Sequence, residues 1–204
     1  MSDGGYDEGY LSVPCLWGLS PGSLVQRFIA QNRISPTYRV LDLGCGEGKN
    51  AVPFASRGCQ VDAVDCSSAA LENAGRAHPI APVRWIQADA IEFEILPRSY
   101  DLIIAYGLLH CLKNDKAVAL LINNMQNGTK LGGFNIICVF NDRSHELSAH
   151  PNFSPCLLPH AFYVERYSHW ETLDVSDEDL FETHPHNNIP HHHSLSRLIA
   201  RRTA

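Results

Sequence analysis

The sequence predicts one α/β domain, a seven-stranded and largely parallel sheet with helices on both faces. Three observations predict it: short apolar runs alternate with segments of helical period, a glycine-punctuated turn follows the first run directly, and no repeat or composition break interrupts the 204 residues. Polar, glycine-rich residues 1–22 form an amino-terminal arm, expected to be flexible and to order as a lid against bound ligand. Ser20-Pro21 followed by Ser23–Gln31 reads as a capped helix with proline in its first turn, and Ser35-Pro36 ends the approach to the first strand. Val40, Leu41 and Leu43 supply that strand. Residues 48–57 follow as a crossover helix closed by Gly58, 60–64 as the second strand, 67–76 as the next helix and 83–87 as the third strand. The fourth strand is 101–105. Residues 115–127 form an amphipathic helix closed by Gly128, and 134–140 a fifth, almost wholly apolar strand of the kind buried on both faces of a parallel sheet. Beyond Phe140 the chain is polar and proline-containing up to Pro159. A short helix at 160–167 and strands at 171–175 and 193–200 complete the order.

Composition narrows the function. A chain of 204 residues suits one well-buried domain. A net charge of −6 supplies no positive field for nucleic acid or an anionic membrane, so the expected partner is a small molecule, met by a monomer or homodimer. The seven cysteines are odd in number and contain no C-x-x-C pair, which reads as reduced thiols of a cytoplasmic protein. The opening MSDGGYDEGY has neither a basic nor an apolar signal region.

Residues 40–50, VLDLGCGEGKN, carry the most chemistry. Glycines at 44, 46 and 48 free the backbone for conformations closed to other residues and let a ligand approach without meeting a Cβ. A nicotinamide fingerprint G-x-G-x-x-G/A would need a small residue where Lys49 stands. The spacing of Asp42, Gly44, Gly46 and Gly48 instead resembles the D/E-x-G-x-G-x-G of class I S-adenosylmethionine-dependent methyltransferases. Asp65 ends the second strand 17 residues after Gly48, where a carboxylate can accept from both hydroxyls of a ribose, and the third strand delivers Asp89 and Ala90 to the same edge. Singly these acids could be a turn residue, a helix cap and a surface charge. Three strand ends in register are harder to assign to chance.

The resemblance implies a Rossmann-like, mostly parallel sheet whose last strand is antiparallel, with S-adenosylmethionine as methyl donor. It carries the donor site onto Asp42, Gly44, Cys45, Gly46, Asn50, Asp65, Cys66, Asp89, Ala90, Tyr106 and His110. Within that class the chain is most similar to the TehB-type tellurite-resistance methyltransferases, through LDLGCGEGKNA, QVDAVD, INNMQNGTKLGGFNII, residues 159–170 and RLIARR. That family methylates soft nucleophiles, selenite and tellurite among them, which implies a small soft acceptor here. The chain departs from the family at Leu131, where the pattern KPGG has proline, and in the last hairpin. There Glu182, Thr183, His184 and Ser194 stand near positions where the family has a His-Arg pair and a further Arg.

An antiparallel last strand places residues 176–192 over the donor. Five histidines crowd there: His184, His186, His191, His192 and His193. Three readings compete: proton acceptors or anion holders for the methyl acceptor, ligands of a divalent metal with Asp179 or Glu182, or a solvated loop. His184, His186, His191 and His193 are the candidates for either chemistry, with Arg197 as a further catalytic candidate. Tyr6, Tyr10 and Trp17 on the arm and Arg143 after the fifth strand are candidates for lid and acceptor contacts. The rival to an enzyme is a non-enzymatic S-adenosylmethionine-binding or metal-sensing module.

Overall fold

The computed structural model describes residues 6–147, 153–183 and 188–204. Its strands are β1 (Arg39–Leu43), β2 (Gln60–Asp65), β3 (Val83–Gln87), β4 (Tyr100–Tyr106), β5 (Thr129–His145), β6 (Glu171–Glu182) and β7 (His191–Arg201). They form one sheet in the order β3-β2-β1-β4-β5-β7-β6, and only β7 runs antiparallel to its neighbours. The helices are α1 (Asp7–Ser12), α2 (Ser23–Gln31), α3 (Val52–Ala55), α4 (Ser68–Ala77), α5 (Asp115–Gly128) and α6 (His160–Arg166). No helix among the described residues is long and apolar enough to cross a membrane.

Strand alternation divides the core into two layers. Leu41, Leu43, Ile103 and Ala105 point to one face, where Leu121, Ile122 and Met125 of α5 and Tyr163 of α6 cover them. Val40, Leu102 and Ile104 point to the other, under Leu24, Val25 and Phe28 of α2 and Phe54 of α3. Both faces are sealed, so the polar opening falls at a sheet edge.

The strands outgrow their sequence-predicted limits at the carboxyl-terminal side. β5 reaches His145 rather than Phe140. β6 reaches Glu182 rather than Val175, and β7 begins at His191. The expected connection 176–192 therefore shrinks to 183–190. Acidic residues argue against a strand by propensity, but here β7 supplies the ladder and cations receive the acids: Arg143 binds Asp177 and Asp179, and Arg197 binds Glu178. The first crossover helix is shorter than 48–57, with Pro53 in its first turn. The arm also differs from expectation. From Asp7 it is a helix against the body, with Tyr10 and Leu16 buried beside Ala70.

A buried polar chain fixes the end of α6 on β5. Thr129 Oγ1 donates to Asn135 Oδ1 at 2.7 Å, and Asn135 Nδ2 donates to the hydroxyl of the fully buried Tyr167 at 2.9 Å. Tyr167→Phe strands the Asn135 amide in the core, a loss of about 1–3 kcal/mol. Urea denaturation should show that loss with an unchanged dependence on denaturant.

Candidate functional site

Because β1 to β4 are parallel, Leu43, Asp65, Gln87 and Tyr106 all end on one edge, and antiparallel β7 starts there. Ligands of open α/β sheets bind at such an edge. A cavity of about 770 Å³ opens at it, ample for a nucleoside-sized molecule. Its floor is the turn after β1, where Gly44, Gly46 and Gly48 all have positive φ (65°, 52° and 83°). A Cβ at 48 would lie 2.3 Å from the Trp85 ring and one at 46 would lie 2.8 Å from the Tyr10 hydroxyl, so both space and conformation require glycine.

The other residues of this turn hold the arm. Glu47 Oε1 accepts from the backbone N–H of Cys15 at 2.7 Å and from Asn73 Nδ2 at 3.1 Å, while the same Asn73 nitrogen reaches the carbonyl of Tyr10. Lys49 Nζ donates to the carbonyl of Trp17, and Asn50 Oδ1 accepts from the N–H of Gly22 at 2.9 Å. Tyr6, Tyr10 and Trp17 are thereby pinned as one wall of the cavity. Trp17 Nε1 also donates to the Tyr10 hydroxyl.

Asp65 faces the cavity. Gly46 and Ser67 donate backbone N–H groups to its two carboxylate oxygens at 2.7 and 2.9 Å, which aims the group and leaves lone pairs for further donors. Burial raises its pKa, and these two bonds oppose the rise. Asp42 lies beneath the loop, with neither carboxylate oxygen hydrogen-bonded. Burial, then the neighbouring Asp65, lifts its pKa to about 8, against a partial counter-pull from Lys49. At the third strand end Asp89 Oδ1 accepts from the N–H of Ile91 at 2.9 Å.

The donor-site candidates Gly44, Cys45, Gly46, Asn50, Asp65, Cys66, Asp89, Ala90, Tyr106 and His110 line this one cavity. Asp42 backs it. The wall at β5, β6 and β7 is formed by Cys138, Phe140, Leu180, Glu182 and Leu195. His110 stacks on Phe140 with ring centroids 4.0 Å apart, and its Nδ1 accepts the Phe140 N–H. A neutral His110 therefore carries its proton on Nε2.

Other candidates fall elsewhere. His184 and His186 lie outside the described residues. His193 is fully buried behind Phe140, its ring stacked at 4.1 Å, and His191 lines a smaller cleft beside Glu182. Arg143 stands outside the cavity lining. It pairs with Asp177 and Asp179, whose alternation with Leu180 and Glu182 puts them on the opposite face of the sheet. Arg197 sits behind Cys138 and Tyr106, paired with Glu178, rather than in the cavity lining. Glu47 has no place in the sequence-based donor set, because its role is a tertiary one, holding the arm through Cys15 and Asn73, that the motif does not announce.

Comparison with known proteins agrees with this geometry. The family model described as tellurite resistance protein TehB matches residues 25–190. The chain belongs to the TehB family. A Haemophilus influenzae protein named "Probable S-adenosyl-L-methionine-dependent methyltransferase TehB" is 30% identical over 159 residues, 74% of this chain and 51% of that protein. An uncharacterized methyltransferase of Mycobacterium tuberculosis is 34% identical over 80 residues, 39% of this chain and 41% of the relative. The chain thus spans about half the length, or less, of these curated relatives. Among solved structures, TehB from Haemophilus influenzae superimposes with a TM-score of 0.70 at 20% identity, covering 89% of this chain and 62% of that one. A methyltransferase from Methanosarcina mazei gives 0.68 at 17% identity, covering 90% and 99%. The fold is that of the family.

Asp42 yields a test in the ligand-free protein. Between its ordinary value of 3.8 and about 8 the folded state keeps a proton that the unfolded chain has lost, so this group stabilises the fold below that window and ceases to as pH rises through it. Thermal unfolding followed from pH 5 to 8.5 should show a falling Tm. Asp42→Asn should flatten that fall.

Proposed function

We propose that the chain is an S-adenosylmethionine-dependent methyltransferase acting on a small, soft nucleophile, such as a thiol or a selenite- or tellurite-like oxyanion. The observation that carries the reading is Asp65, aimed into the cavity by two backbone N–H groups beside a loop stripped of Cβ atoms. The residues present fit the donor. Asp65 retains lone pairs for two ribose hydroxyls, Asp89 and Ala90 stand where an adenine edge and ring are met, and the unpartnered Asp42 carboxylate suits the ammonium of the methionine part. When bound, S-adenosylmethionine supplies a methyl group already activated by its sulfonium.

The protein's task is then alignment and exclusion of water. Tyr6, Tyr10 and Trp17 close one side, with their arm held by Glu47, Lys49 and Asn50. Phe140, Leu180 and Leu195 give the other side an apolar surface. Attack by an anion on a sulfonium cancels charge, so a surface of low polarity favours the reaction. His110 in its neutral form donates from Nε2 and serves to hold an anionic acceptor or the donor's carboxylate, not to remove a proton. The family description, tellurite resistance, supports the soft-oxyanion choice. All seven cysteines are free, which supports a reducing, cytoplasmic setting.

Two measurements test this. Hydrogen bonds to a charged group contribute on the order of 1.5–3 kcal/mol each, so Asp65→Ala should weaken S-adenosylmethionine binding by tenfold or more in calorimetry with the melting transition intact. Incubation with S-adenosylmethionine and selenite, tellurite, small thiols or phenols should release S-adenosylhomocysteine with a thiol or chalcogen oxyanion. Unchanged donor affinity in the mutant, or turnover with phenols alone, would refute the corresponding half of the reading.

A further inference from the structure

The second cluster of chemistry lies in the wall between β5, β6 and β7. Glu182 and His191 are register partners across β6 and β7, and His193 follows His191 by two residues on the same strand face. Among the described residues these three form the group whose ligand atoms all lie within 4.8 Å of one another. Both imidazoles are buried, and Glu182 Oε1 lies 3.9 Å from His191 Nε2.

The hydrogen bonds around the rings fix which nitrogens keep a lone pair. His191 Nδ1 sits 2.7 Å from the carbonyl of Ile189, which only accepts, so Nδ1 carries the proton and Nε2 the lone pair. His145 Nε2 likewise donates to the carbonyl of Asn141. With both rings neutral, His145 Nδ1 is then an acceptor, and the 3.2 Å contact between the two Nδ1 atoms is a bond donated by His193. The His193 lone pair is thereby also on Nε2. Imidazoles that donate one N–H to a carbonyl or a second ring and keep a lone pair on the other nitrogen, close to a carboxylate, have the supporting contacts of metal-binding histidines.

We infer that Glu182, His191 and His193 form a binding site for one divalent transition-metal ion of the kind that favours imidazole, such as Zn²⁺. Two histidines and one carboxylate make a three-ligand set that leaves coordination positions open, the arrangement of catalytic rather than structural zinc. Glu182 lines both the main cavity and a cleft of about 370 Å³ shared with His191, Glu146 and Pro190. The cleft supplies an entry path and the cavity supplies the ion's open side. On the methyltransferase reading proposed above, the open positions hold the sulfur or oxygen anion of the acceptor. The ion-binding claim itself does not depend on that reading.

The full chain, stripped with chelator and dialysed, is titrated with Zn²⁺ by calorimetry and with Co²⁺ by visible absorption. Binding of about one ion per chain is expected, with ligand-field bands of low-coordinate Co²⁺. Glu182→Gln, close to isosteric, and His191→Ala should each abolish the stoichiometric event while circular dichroism stays that of the wild type. His145→Ala, which removes the ring that orients His193, should retain the ion but bind it roughly 10–100-fold more weakly. His169, an exposed histidine outside this cluster, is the control, and His169→Ala should bind as wild type. The inference is overturned if the folded wild type binds no ion. It is overturned equally if binding survives Glu182→Gln and His191→Ala but vanishes in a His184→Ala/His186→Ala double variant. S-adenosylmethionine affinity, measured in parallel in the wild type and in His191→Ala, whose residue lies outside the main cavity lining, reports separately on the donor site and is expected to be the same in both.

Discussion

A backbone that must stay bare governs this molecule. Between β1 and α3 the chain turns through three left-handed residues, and two of them sit under aromatic groups, Trp85 over Gly48 and the Tyr10 hydroxyl over Gly46. The parallel strands fix where the turn lies, at their shared carboxyl edge. The turn in turn dictates what can cover it, since the carboxylate of Glu47, the ammonium of Lys49 and the amide of Asn50 each take a backbone group of the arm. One heptapeptide, Gly44 to Asn50, thus builds the floor of the cavity and fastens its lid.

The parts of the fold set by buried periodicity were legible in the sequence. Val40 to Leu43 and the apolar run through Phe140 announce central strands because a parallel sheet hides both faces, and Asp65 announces itself by its distance from the glycines. What escaped is stabilised from a distance. The acids of β6 argue for a loop until Arg143 and Arg197, folded in from other strands, neutralise them, and α1 looks too polar to order until Asn73 and Glu47 receive it. His191 and His193 were legible as a crowd but not as a geometry, because stacking on Phe140 and the tautomer set by Ile189 and Asn141 are tertiary facts.

Phe140 joins the two halves of the site. His110 lies on one face of its ring at 4.0 Å and His193 on the other at 4.1 Å, so the group that lines the main cavity and the group beside Glu182 share one flat apolar spacer. A smaller residue there would loosen both histidines at once, whereas the carboxylates at the far strand ends would not register the change.

The outer edge of the sheet has a consequence for the molecule among its own copies. β6 is the last strand and offers its outward row of peptide groups to any passing strand, with Leu173, Val175 and Phe181 exposed along it. Its twelve residues also include six acids. Arg27, Arg143, Arg197 and Arg201 hold five of those acids in ion pairs, so a second copy laid along that edge would meet long, paired side chains rather than a bare strand. The edge is thus guarded by charged side chains folded over it rather than by a covering helix, one of the ways in which a sheet avoids pairing with its own copies.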